Sequence, residues 1–343
     1  MRCTPVRDPL RHHGDVEVGT GRVDFAVNVY DGPRPAWLDA ALRAGLDDAA
    51  HYPSATAAEA AIAARHGRDT EEVLATAGAA EAFSLVARLR PWRRPVVVHP
   101  QFTEPHAALL QAGHVVTEVV LPEPFELDPG AVAEDADLVV IGNPTNPTGV
   151  LHPSAALTAL LRPGRLVVVD EAFMDAVPGE PDTLTGHRDP GLLVIRSLTK
   201  HWGIPGIRAG YLVTDPALVR ELRNGQVPWS VASTASAAMI ACSTDEAAAE
   251  SRRRAAQIAA WRRDLQESLS TMGIHHIPSQ ASFVLAQVGD GVHAALRDAG
   301  VAVRRADTFP GLDASWVRIA VRPPERNRSL LDALSAPGRH ALG

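Results

Sequence analysis

Lys200 is the only lysine in the chain; the other 32 of its 33 basic residues are arginines. Using arginine everywhere else and lysine once points to a task that a guanidinium cannot perform. Imine formation with a carbonyl is such a task, because a desolvated amine gives up its proton and a guanidinium does not. Asp170, 30 residues earlier, ends the apolar run Leu166-Val167-Val168-Val169. A carboxylate there is costly unless a cation or strong donor meets it. The N–H of a protonated heterocycle would serve; a helix N-cap is the plain alternative. Ser197, Thr199 and Arg208 offer two hydroxyls and one planar cation, a set suited to phosphate. Gly78-Ala79-Ala80-Glu81 has small residues that let backbone amides approach an anion at a helix start, although an ordinary strand–helix turn has the same composition. In Asn143-Pro144-Thr145-Asn146-Pro147-Thr148-Gly149, two Asn-Pro steps stiffen the turn and leave Asn146 free to aim its amide at a ligand.

These residues need a frame. Val73–Thr76, Val96–Val98, Val115–Leu121, Leu138–Ile141, Leu166–Val169 and Leu192–Ile195 read as strands, several as continuous apolar runs suited to burial on both faces. Helical segments at 36–46, 55–66, 81–89 and 107–112 alternate with them. The rhythm predicts an α/β fold: a mostly parallel sheet flanked by helices, with ligands at the carboxyl ends of its strands. After Asn224-Gly225 the pattern changes to a long helical stretch over 232–269, whose Arg252-Arg253-Arg254 and Arg262-Arg263 read as solvated faces. Strands at 283–285, 302–304 and 316–321 and a closing helix at 327–334 complete a smaller α+β domain. The expected division is an N-terminal arm over 1–35, a large domain over 36–225 and a small domain over 226–343. Val23–Val27 is a possible short strand within the arm.

The ordered set Asn146-Pro-Thr-Gly, Asp170-Glu-Ala-Phe, Ser197-Leu-Thr-Lys200 and Arg208-Ala-Gly-Tyr resembles the fold-type I pyridoxal-phosphate enzymes of the class I/II aminotransferase family. The similarity spans nearly the whole chain. Within that family it is most similar to the group holding histidinol-phosphate aminotransferases and threonine-phosphate decarboxylases. Phe173, where many aminotransferases have tyrosine, and blocks such as Gln226-Val-Pro-Trp-Ser-Val231 lean toward the decarboxylase.

The resemblance implies pyridoxal 5'-phosphate as cofactor and a role for each residue. Lys200 would carry the cofactor and shuttle protons. Asp170 would keep the pyridine nitrogen protonated, and Asn146 would bond the ring 3-hydroxyl. Phe102 would stack on the ring, while Ala79, Ala80, Ser197, Thr199 and Arg208 would hold the phosphate. Tyr52 would reach a neighbouring subunit's phosphate, which implies a homodimer. Arg318 would bind the substrate carboxylate and Arg304 a distal phosphate, with His13 and Asn28 in a substrate-phosphate arm. The expected reaction is decarboxylation of L-threonine O-phosphate to 1-amino-2-propanol O-phosphate. The alternatives are transamination of the histidinol-phosphate type with a keto-acid acceptor, and a non-catalytic module of the same fold.

Composition bounds the rest. The chain has 343 residues, 46% of them apolar, and a net charge of −7, which argues against a general nucleic-acid binder. Two cysteines, Cys3 and Cys242, make no disulfide framework, and no apolar run is long enough to span a membrane. A cytoplasmic setting is expected. The histidines show no metal-ligand spacing, and Trp92, Trp202 and Trp261 read as core or interface anchors.

Overall fold

The computed structural model describes residues 8–335; Cys3 lies outside them. In chain order the strands are β1 (Val23–Phe25), β2 (Val73–Thr76), β3 (Pro95–His99), β4 (Thr117–Val120), β5 (Leu138–Gly142), β6 (Leu166–Asp170), β7 (Leu192–Ser197), β8 (Gly210–Val213), β9 (His275–His276), β10 (Phe283–Gln287), β11 (Val301–Arg305) and β12 (Trp316–Ala320). The helices are α1 (Asp15–Val18), α2 (Ala36–Asp47), α3 (Thr56–His66), α4 (Ala79–Arg88), α5 (Glu104–Gln111), α6 (Ser154–Thr158), α7 (Pro216–Gly225), α8 (Ser233–Ala241), α9 (Asp245–Thr271), α10 (Val292–Asp298) and α11 (Pro324–Ser335).

Seven strands form the main sheet in the order β2-β8-β7-β6-β5-β3-β4. The four pairings from β7 to β4 are parallel, and β8 runs antiparallel to both its neighbours. The apolar runs are buried on both faces because alternate residues serve different cores. Leu138, Val140, Leu166, Val168, Leu193 and Ile195 pack under α4, α5 and α7, whereas Val139, Ile141, Val167, Val169, Leu192 and Val194 pack on the opposite face with Leu157 and Leu160. Each such side chain contributes roughly 1.5–3 kcal/mol on burial, so the strand ends beyond them are firmly placed.

β8 escapes sequence reading, because Arg208-Ala-Gly-Tyr looks like the tail of a glycine-rich loop. The expected long helix over 232–269 is two helices. Thr244 accepts from the Ala247 amide at 3.2 Å and so caps a new helix after Cys242. Two of the arginines expected on its solvated faces, Arg254 and Arg262, are buried.

The second sheet has the order β1-β11-β12-β10-β9. Its first strand comes from the N-terminal segment: β1 pairs parallel with β11, Val23 facing Val301. The chain therefore enters the second sheet before it builds the first. α8 packs against α2 and α3, with Ala235, Ala238 and Met239 in their shared core. Among the described residues no helix is long and apolar enough to cross a membrane, and no cluster of three His, Cys, Asp or Glu side chains is arranged to hold a metal ion.

Candidate active site

Five connections reach one end of the main sheet: those after β2, β3, β5, β6 and β7. They meet the second sheet and the N-terminal segment around a cavity of ≈ 640 Å³. Thirteen of the fourteen residues singled out from sequence line it. Tyr52 does not; it is 79% exposed, with its ring stacked 4.5 Å from that of Trp229.

Asp170 is the last residue of β6 and is buried. One carboxylate oxygen accepts from the Ala172 amide at 3.0 Å, so a local turn uses half the group. Burial raises its pKa from 3.8 to about 7, and neighbouring Glu171 adds to the rise. Lys200 follows β7 in the Ser197-Leu-Thr-Lys turn. Burial, then the positive charges of Arg318 and Arg208, push its pKa down to about 8. A lysine so placed is still largely protonated near pH 7 but yields its neutral, nucleophilic form far more readily than an exposed one.

Ser197 Oγ and Thr199 Oγ1 lie 2.8 Å apart on the same turn. Facing them is the start of α4, which begins at Ala79 rather than at Glu81. The first amides of a helix have no intrahelical acceptor. Those of Ala79 and Ala80 line the same cavity as the two hydroxyls, an arrangement suited to an anion. Arg208, at φ 60°, closes the cradle and donates to the Pro205 carbonyl at 3.0 Å. A Cβ on Gly78 would sit 2.4 Å from the Arg208 guanidinium, and one on Gly210 would sit 2.8 Å from the Gly78 carbonyl carbon. Both positions are therefore glycine for close approach as well as, at Gly78, for φ 78°.

Arg304 and Arg318 are direct cross-strand partners on β11 and β12. Both are buried, and neither makes an ion pair with a carboxylate among the described residues. Like charges in this register repel. Arg318 donates to Asn146 Oδ1 and to the Ala26 carbonyl, each at 2.6 Å, while Asn28, its amide oxygen facing Arg318, accepts at 3.1 Å. Burial and Arg304 hold its pKa well below the usual guanidinium value. Arg304 donates to the His12 carbonyl and to Thr308 Oγ1 at 2.6 Å each, and burial brings its pKa down to about 10.

Asn146 is thus not free, as its loop suggests. Arg318 occupies its oxygen, leaving its amide nitrogen to donate. Phe102 forms one wall, between Phe83 (6.2 Å) and His13 (5.7 Å). His13 Nε2 meets Glu104 at 2.7 Å, and Arg11 meets the same carboxylate at 3.0 Å. His12, Thr103 and Glu104 also line the cavity and were not singled out from sequence. Glu104 lies 91 residues from His13, so no local spacing could reveal the pair. Phe173 packs edge-on against Phe283 at 4.9 Å. His99 and His106 bond each other at 3.1 Å in the interior, Trp92 and Trp202 are buried, and Trp261 packs against the second sheet's core.

A histidinol-phosphate aminotransferase of Mycobacterium tuberculosis is 46% identical over 318 residues, covering 91% of this chain and 87% of that protein. A threonine-phosphate decarboxylase of Salmonella typhimurium is 30% identical over 334 residues, 91% and 90% of the two chains. The structure of histidinol-phosphate aminotransferase from Sinorhizobium meliloti, solved with pyridoxal-5'-phosphate, superposes with a TM-score of 0.80 at 22% identity, over 90% of this chain and 88% of that one. The profile of aminotransferase class I and II matches residues 20–334. The chain belongs to the class I and II aminotransferase family of pyridoxal-phosphate enzymes.

Proposed function

We propose that this enzyme transfers the amino group of a small phosphorylated amine, of the histidinol-phosphate type, to a 2-oxo acid. The observation that carries the substrate class is the pair Arg304 and Arg318, buried side by side without a carboxylate partner among the described residues. Two such cations call for an anionic ligand, and their mutual repulsion is relieved when it binds. The 46% relative supports transamination over the decarboxylation expected from the sequence.

The residues present fit the cofactor. Asp170 is a buried carboxylate with one oxygen uncommitted, and its raised pKa marks the want of a cation. The pyridinium nitrogen of pyridoxal phosphate meets that want. When bound, the cofactor supplies a ring that withdraws electrons from the substrate's Cα. Lys200 attaches it and moves the proton at Cα. Ser197, Thr199, Arg208 and the Ala79 and Ala80 amides hold its phosphate. The Asn146 amide donates to the ring 3-oxygen, and Phe102 covers one ring face. Arg318 and Arg304 hold the substrate's anionic groups, assisted by Asn28 and His13. The way Arg318 and Arg304 orient the substrate would decide which bond to Cα is broken. The working enzyme is a cytoplasmic homodimer in which the exposed Tyr52 reaches the partner's phosphate.

Decarboxylation of L-threonine O-phosphate is the second reading. Phe173 favours it, since it removes a hydroxyl that many aminotransferases direct at the ring oxygen, and so does the Salmonella relative. One panel separates them. Histidinol phosphate with 2-oxoglutarate yields glutamate under the first reading. Stoichiometric CO2 from threonine phosphate without any oxo acid would overturn it in favour of the second.

A further inference from the structure

Several buried arginines take no part in the mechanism, and Arg254 is the one tied to the Lys200 backbone. Arg254 lies on α9, away from the cavity wall, and its side chain is fully buried. Its Nε donates to Glu250 at 2.8 Å, its Nη1 to the His201 carbonyl at 2.9 Å and its Nη2 to the Pro33 carbonyl at 2.9 Å. The guanidinium plane is flanked by two rings, with Tyr30 at 4.2 Å and Trp202 at 5.0 Å.

Tyr30 completes the connection. Its amide donates to the Lys200 carbonyl at 2.9 Å. Its hydroxyl donates to Gln257 at 2.7 Å, and its ring stacks on Trp261 at 6.1 Å. Arg254, Gln257 and Trp261 stand at i, i+3 and i+7, one face of α9. Ser251, one turn earlier on that face, meets His201 Nε2 at 3.1 Å. The backbone carrying Lys200 is therefore gripped at consecutive residues, 200 through Tyr30 and 201 directly. Both grips trace back to the same helix face.

A buried ion pair is weak evidence for stability, since apolar residues of similar volume often replace it without loss. Geometry gives Arg254 another use. Its planar fork reaches two carbonyls on different segments while its faces carry aromatic rings, which neither lysine nor methionine can imitate. We propose that Arg254 is a positioning residue for Lys200, acting through the His201 carbonyl and the Tyr30 ring. The proposal rests on Lys200 being the residue that binds the cofactor.

The test compares Arg254→Met, Arg254→Lys, Tyr30→Ala and Tyr30→Phe with wild type. Cofactor-free protein is mixed with pyridoxal phosphate, quenched with borohydride over time, and the mass added to the Lys200 peptide is followed. Arg254→Met and Tyr30→Ala should slow capture about 10-fold or more, because small misplacements of a reacting group are costly. Arg254→Lys should stay slow, and Tyr30→Phe, which keeps ring and amide, should match wild type. In loaded enzyme, kcat should fall while KM stays within about twofold, and amide exchange at 199–202 should quicken. Wild-type capture rates in folded Arg254→Met would overturn the proposal alone. Loss of activity only in proportion to unfolded protein would reduce Arg254 to a structural role and also overturn it. Borohydride mass fixed elsewhere in wild type would overturn the reading of Lys200 as well.

Discussion

At Asp170 the fold holds a carboxylate against its own preference. Its pKa rises from 3.8 to about 7, so between those values the folded state binds more protons than the unfolded state. Stability from this group is therefore lost as pH rises through that window, by at most about 4 kcal/mol once it is fully ionised. Asp170→Asn removes the penalty. The cofactor-free variant should melt a few degrees higher than wild type at pH 8, and the gap should narrow toward pH 4. Pyridoxal phosphate should bind it more weakly. Scanning calorimetry with and without cofactor checks both, and an unchanged melting temperature at pH 8 would mean the carboxylate is already neutralised. Under the proposed function the same logic, a site kept costly so that its ligand completes it, extends to the buried pair Arg304 and Arg318.

Elements place the cradle. β2 and β8 are antiparallel neighbours, with Thr76 paired to Gly210, and this brings the start of α4 against the loop that carries Arg208. The approach is so close that glycine is needed on both sides. Gly78→Ala would put a methyl group 2.4 Å from the guanidinium in a backbone conformation that disfavours it. We expect at least a 10-fold weaker affinity for pyridoxal phosphate, read by titrating cofactor absorbance. The sheet should be spared, with far-ultraviolet circular dichroism unchanged. Unaltered affinity would show that Arg208 does not hold the phosphate.

For the whole molecule, Tyr52 is the open point. It and Trp229 form an exposed stacked pair, and Trp229 holds a left-handed φ of 59°. If the pair inserts into a second copy, sedimentation should show a dimer at micromolar concentration. Tyr52→Ala should then raise the half-saturating concentration of pyridoxal phosphate several-fold while Lys200 still fixes the cofactor. A monomer with full affinity would remove Tyr52 from the site.

Much of this was legible in the chain itself. A lone lysine, an aspartate ending an apolar run and a hydroxyl pair before an arginine are local signals, since each residue type carries its own chemistry. The buried strands announced themselves because a two-sided core leaves no polar alternation. Burial and pairing across the chain were not legible. Arg254 sits in a run of three arginines that reads as solvent-facing, yet only tertiary packing decides which of the three turns inward. Asn146 looks free until β12 brings Arg318 to its oxygen. Arg304 and Arg318 are 14 residues apart, and only strand register makes them neighbours. The sequence by itself therefore determined the cofactor family and most of the sheet that supports the site, while its lean toward decarboxylation is not what the 46% identical relative favours. The tertiary structure decided which groups meet, because electrostatic pairing and desolvation depend on distances of a few ångströms that residue order does not encode.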